Sequence, residues 1–209
     1  MMRPAPTIRS IAPLALVPWL VLVGGCVFRD AGEPRFYRPE SSMIEGRAID
    51  PSPASGVPVR LAPVNGTPFL RERIAWRVSE VEYGLYEQRR WTELPPSYVE
   101  RGLATALRDT PGVRLTDDFR APTLRVDLVA FDEVLAPVHA AVVELVVSLR
   151  DGERRRLLDR TYSAETPIAG DSPSATATAI GRSLDTVVTE VAAAVGAALS
   201  GTPTGATAP

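Results

Sequence analysis

Three runs of alternating apolar and polar residues, separated by short turn signals, fill residues 123–164 and leave little freedom in the fold. From Thr123 to Val134 (TLRVDLVAFDEV), Leu124, Val126 and Leu128 alternate with Arg125 and Asp127. A period of two places the two sets on opposite faces of a strand. The second run, His139 to Arg150, is bounded by Pro137 and by Asp151-Gly152, a dipeptide suited to the left-handed conformations of a tight hairpin turn. The third extends from Arg154 to Ala164. The pattern predicts an antiparallel meander with one apolar face, which has to be buried under another layer.

Two helical segments can supply that layer. From Pro173 to Leu199, Ile180, Leu184, Val187, Val191 and Val195 recur every three or four positions, a helical stripe. Ser172 is placed to cap it, Pro173 to open it and Gly201 to stop it. Pro96 opens a shorter helix over residues 97–109, with Val99, Leu103, Ala106 and Leu107 on one face and Thr110-Pro111-Gly112 at its end. Upstream, Val57 to Val64 reads as a strand ending at the turn pair Asn65-Gly66. Ile74 to Val78 and Val81 to Tyr86 read as a hairpin with Ser79-Glu80 in its turn, and Val113 and Leu115 as a short edge strand. The expectation is an α+β domain over residues 57–200. It has an antiparallel or mixed sheet of about five to six strands, with two helices packed on one face. Residues 201–209 are read as a disordered tail.

The N-terminus carries a different message. Residues 1–10 are polar and include Arg3 and Arg9, residues 11–23 are continuously apolar, and Gly24-Gly25-Cys26 follows. A positive start, a short apolar run and small residues before a cleavage point describe a secretory signal peptide over residues 1–25. The apolar run is shorter than the roughly 20 residues of a comfortable membrane span. Val23-Gly24-Gly25-Cys26 resembles the bacterial lipobox, whose cysteine thiol receives a diacylglyceryl group, so Cys26 is the expected lipidation site. Val27, rather than Asp, after the cysteine resembles the sorting pattern of outer-membrane lipoproteins facing the periplasm. Residues 26–56 lack periodicity and are rich in Pro, Gly, Ser and charge; they are read as the lipidated cysteine and a tether, with Phe36-Tyr37 as an apolar exception.

Composition restricts the chemistry. The formal charge is −2, and all 23 cationic residues are arginine, so no net positive field points to nucleic acid. A single cysteine and a single histidine cannot make a disulfide within the chain or supply a Cys/His metal centre. His139 lacks a G-x-S-x-G nucleophile motif to serve, and it reads as structural or exposed. The carboxylate pairs Asp117-Asp118 and Asp132-Glu133 read as solvated loop charges, because neighbours on a strand diverge. Glu144, inside an apolar strand, reads as solvent-facing or, alternatively, as the mark of a polar outer face or an inter-subunit contact. Arg154-Arg155-Arg156 reads as a solvated hairpin end or, alternatively, as a contact to an acidic partner or lipid headgroups. No catalytic residue, metal ligand or cofactor is assigned.

The order of motifs resembles the auxiliary lipoproteins of ABC-type intermembrane lipid transport, the PqiC-like family. The resemblance rests on the lipobox, the pair Phe36-Tyr37, the strand from Val57 to Val64 and the stretch Arg73 to Arg77 (RIAWR). It continues through the tyrosine-bearing strand Tyr83 to Tyr86, Trp91 shortly before Pro95 at a helix start, the meander and the last helix. It implies a non-enzymatic outer-membrane lipoprotein that docks to an MCE-domain protein and an ABC permease/ATPase complex, supports envelope integrity and can assemble as a homo-oligomer ring. Tyr83, Tyr86, Trp91 and Pro95 are the implied docking or family-motif residues; burial of Trp91 under the first helix is compatible with shaping that face. Two other readings are a structural or assembly lipoprotein of another outer-membrane machinery, and a periplasmic hydrolase resting on Ser163 and Glu144.

Overall fold

The computed structural model describes residues 32–45 and 55–201. Its elements are, in order, β1 (Arg35–Tyr37), β2 (Val57–Leu61), β3 (Asn65–Gly66), β4 (Arg73–Arg77), β5 (Tyr83–Trp91), α1 (Pro95–Asp109), β6 (Val113–Leu115), β7 (Thr123–Val134), β8 (Ala140–Arg150), β9 (Arg156–Pro167) and α2 (Pro173–Ser200). The expected signal peptide, Cys26 and all of the expected tail beyond Gly201 lie outside the described residues.

β7 is the spine. β8 pairs with it antiparallel along its whole length, and β9 pairs with β8 in the same sense. The opposite edge of β7 is shared by three short segments laid end to end, all parallel to it: β2 (Arg60 beside Thr123), β3 (Asn65 beside Asp127) and β4 (Ala75 beside Asp132). β5 adds antiparallel to β4, β1 parallel to β5, and β6 parallel to β2. The fold is α+β with a mixed sheet and two helices, but the sheet has nine strands rather than five to six. β6 is the short edge strand expected at Val113 and Leu115, whereas β1 and β3, three and two residues long, are too short for a period of two to register. Asn65-Gly66, expected as a turn, borrows a ladder from the long β7.

Residues paired across strands share a face. One face carries Leu124, Val126 and Leu128 of β7 opposite Leu149, Val147 and Leu145 of β8, all fully buried. A bulge between Leu128 and Ala130 admits one extra residue, so Phe131 returns to that same face three positions after Leu128. α2 lies across β8 and β9 with α1 beside it; Ile180, Leu184, Val187, Val191 and Val195 of the predicted stripe are fully buried. Ser172 accepts from the Ala175 N–H as the expected cap. α1 begins at Pro95, one residue before Pro96, after Leu94 at the cap. Among the described residues, no helix packs on the opposite face of the sheet.

Part of the expected tether is fastened to the domain. β1 pairs with the end of β5, placing Tyr37 beside Trp91, and Pro39 and Ser41 are buried. The Asp185 carboxylate of α2 accepts from the Ser41 hydroxyl, from the Ser42 N–H (2.9 Å) and hydroxyl (2.7 Å), and from the Met43 N–H (3.3 Å). Thr178 donates to Glu40 at 2.7 Å. Gly181 makes this crossing possible: a Cβ there would lie 1.9 Å from the Glu40 carbonyl oxygen. Residues 35–45, within the stretch read as tether, thus pair and hydrogen-bond with β5 and α2. Their hydrogen bonds run to a helix more than a hundred residues away, which local composition cannot reveal.

Candidate docking face

Trp91 ends β5 and is 2% exposed. Its indole meets Phe131 of β7 at 5.3 Å and Tyr98 of α1 at 6.3 Å, both edge to face, while Tyr98 stacks on Phe131. Such ring geometries add to the large apolar area that aromatics bury. The Tyr98 hydroxyl accepts from the Glu93 N–H (3.0 Å) and shares a hydrogen bond with the Thr92 hydroxyl (2.8 Å). Pro95, buried at the first position of α1, supplies a fixed φ where its missing N–H costs nothing. Glu93 and Arg101 form a two-point pair at 2.5 and 3.0 Å. Trp91 and Pro95 thus hold α1 against the sheet and present little surface of their own.

The two tyrosines part company across β5. Tyr83 lies beside Arg77, 43% exposed, edge-on to the exposed ring of Phe69 at 6.0 Å. Tyr86 points to the helix-bearing side, near Trp76 and beneath Arg89, whose guanidinium sits 3.9 Å from the ring centroid. Burial first, and then the charge of Glu133, push the Tyr86 hydroxyl up to about 12. The Trp76 indole packs against Gly84, where a Cβ would come 2.1 Å from the ring. Of the four residues singled out, only Tyr83 forms an exposed apolar spot, together with Phe69.

Asp132 and Glu133, expected as solvated loop charges, are 2% and 3% exposed. They lie within β7 and diverge as strand neighbours must. Glu133 takes the helix side. Its Oε1 is 2.7 Å from His139 Nε2 and its Oε2 is 3.6 Å from Arg89 Nη1. With Tyr86, Leu135 and Asp171 these residues line a cavity of about 420 Å³. Asp132 takes the open side, accepting from the Phe131 N–H at 3.1 Å and lying 3.8 Å from Arg77 Nε. Burial pushes its carboxyl up, and the Phe131 N–H and Arg77 only partly offset this. Both acids are compensated by bases from other elements, so neither is a free charge. Their position inside the expected Thr123–Val134 strand was the available signal, since strand residues next to a buried Phe are not loop residues.

The hydrolase residues and His139 lie on opposite faces of the sheet. Ser163 and Glu144 face each other across β9 and β8 on the open side, whereas His139 engages Glu133 on the other. Among the described residues, no group of three His, Cys, Asp or Glu is placed to hold a metal ion.

The model of a protein family described as the ABC-type transport auxiliary lipoprotein component matches residues 45–192. No curated protein matches the chain. A crystal structure of a Xanthomonas campestris protein of the DUF330 family model superposes with a TM-score of 0.66 at 21% identity, covering 79% of this chain and 97% of that one. A second crystal structure, of an uncharacterized protein, gives 0.61 at 14% identity over 78% and 99%. A PelC dodecamer structure from Paraburkholderia phytofirmans gives 0.44 at 14% identity over 71% and 94%. The first two likenesses establish the fold.

Proposed function

Because the chain belongs to the ABC-type transport auxiliary lipoprotein family, we propose that it is a non-enzymatic outer-membrane lipoprotein, anchored through Cys26 and facing the periplasm. In this reading it docks to an MCE-domain protein working with an ABC permease and ATPase, helps move lipid between the membranes and supports envelope integrity. The family match over residues 45–192 is the observation that carries the reading. Two acyl chains on one cysteine give stable anchoring. The docking spot is Tyr83 with Phe69, because aromatic anchors ringed by polar groups suit protein interfaces and this pair is exposed on the open side of the sheet. Tyr86, Trp91 and Pro95 act behind it, fixing β5 and α1.

The test is affinity purification of the full-length protein from native membranes. The reading expects MCE and ABC components to be recovered, with recovery falling several-fold for the Phe69→Ala/Tyr83→Ala variant. Recovery of outer-membrane assembly machinery in their place would support a structural lipoprotein instead. Fatty-acid labelling checks the anchor separately: Cys26→Ala abolishes it, and normal labelling of that variant would refute the assignment.

A further inference from the structure

The open face of the sheet carries arginines that partner docking leaves unused. Arg60, Thr123, Arg150 and Arg156 form one row across β2, β7, β8 and β9. Two positions along β7, Arg125 sits beside Ser148 of β8 on the same face. The β8–β9 turn adds Arg154. Arg60, Arg125, Arg150 and Arg154, with Phe119 and the polar side chains of Thr123 and Ser148, line a groove of about 780 Å³.

Four guanidinium groups here have no internal counterion. Among the described residues, none of the four has a carboxylate within 4.0 Å, whereas Arg77, Arg89, Arg90, Arg101, Arg155 and Arg156 all do. The one acid in the groove, Asp151, is spent on its own turn. Its Oδ1 accepts from the N–H groups of Glu153 (2.9 Å) and Arg155 (2.8 Å), and its Oδ2 from Arg155 Nε (2.7 Å). Arg60 Nε is buried without a hydrogen-bond partner, and its guanidinium stands 4.8 Å from the centroid of the Phe119 ring, itself 83% exposed. Arg150 is braced by donating to the Arg154 carbonyl at 3.3 Å. Arg154 holds a left-handed backbone, φ 64°, a conformation that a side-chain-bearing residue adopts at some strain.

Arg150 faces Arg156 across the β8–β9 ladder, and like charges opposed on neighbouring strands destabilise a sheet, so an external anion relieves this end of the row. A planar guanidinium matches phosphate oxygens with two parallel N–H donors. Several such forks exceed what one carboxylate can use. The exposed Phe119 beside them offers apolar contact at the edge of the anion. We propose that this groove binds a phosphate group, presented either by a lipid headgroup or as the free ion, on Arg60, Arg125, Arg150 and Arg154. The inference goes beyond the transport reading and stands or falls independently of any docking partner.

Calorimetric titration of the full-length lipoprotein in a non-ionic detergent tests it. The probes are inorganic phosphate and dihexanoyl phosphatidylglycerol below its micelle concentration, with sodium glutamate as control. Saturable binding of at least one phosphate probe is expected, weakened about tenfold or more by Arg125→Gln/Arg150→Gln and unchanged by Arg108→Gln on α1. Binding of both probes assigns recognition to the ion itself. Binding of the lipid alone, lost in Phe119→Ala, assigns it to the headgroup. Arg154→Gly relieves the strained backbone, so it keeps the fold while weakening binding several-fold, and it serves if the double variant misfolds. Absence of saturable binding by either probe, glutamate binding as tightly as phosphate, or full-strength binding by correctly folded groove variants would overturn the proposal.

Discussion

The open face of the sheet has two ends, and the long strands β7 and β8 run through both. At one end Asp132 is buried beside Arg77, whose guanidinium also reaches Glu80 at 3.3 Å and the Tyr83 hydroxyl at 3.4 Å. The β4–β5 turn and residues 136–138 close around it, and Ala75, Ala140 and Val142 nearby are buried. At the other end Arg125 and Arg150 stand on the same β7–β8 ladder, with Arg60 on β2 beside them, and among the described residues no carboxylate lies within 4.0 Å of them. Strand propensity cannot distinguish the ends. The difference lies in what the connecting segments bring: covering loops and a counter-charge at one end, more arginine at the other. The buried charge at the first end is partly compensated within the fold, and the charges at the second face outward to a ligand.

The comparison can be broken by mutation. A wholly apolar reference sets the upper scale: Trp91→Ala removes the ring between Tyr98 and Phe131 and should lower unfolding free energy by about 4 kcal/mol, read by urea denaturation followed by circular dichroism. Arg77→Ala leaves Asp132 buried without its base and should cost about 3 kcal/mol at neutral pH; a loss below about 0.5 kcal/mol would mean that the covered end is not held by its charges.

The pH dependence sharpens the contrast. Asp132 is raised in the folded protein, chiefly by burial. A raised carboxyl contributes stability that is full below its unfolded value and is lost as pH rises through its folded value. The wild type should therefore lose stability across that window, whereas Asp132→Asn, which does not titrate, should lack that component. Urea unfolding from about pH 3 to pH 8 reads the difference; identical slopes would contradict it. The smallest effect belongs to the arginine end, where Arg125→Gln/Arg150→Gln should leave stability unchanged or raise it by no more than about 0.5 kcal/mol.

Long elements were legible in the sequence because they bury a face along many residues. β7 begins and ends where alternation predicts it, β8 begins one residue late, and α2 carries the expected stripe. β5 runs on to Trp91, beyond the predicted Tyr86, since Arg89 and Arg90 are long polar side chains that a ladder with β1 and β4 tolerates. What stayed hidden depends on distant partners. Asp132 and Glu133 look solvated until Arg77, Arg89 and His139 arrive from β4, β5 and the start of β8. Of the docking residues, Trp91 and Pro95 proved buried, because a Trp before a helix start can be an anchor for the helix as readily as for a partner. The run Arg154-Arg155-Arg156 also divides: Arg155 and Arg156 find Asp151, Glu153 and Asp159, while Arg154 alone lines the groove.

Urea unfolding of Arg77→Ala and Arg125→Gln/Arg150→Gln, side by side in phosphate-free buffer at neutral pH, tests the division most directly. The account predicts a large loss for the first variant and an unchanged or slightly raised stability for the second. Equal losses in the two would show that the groove arginines are satisfied within the fold, and the distinction between its two ends would fall.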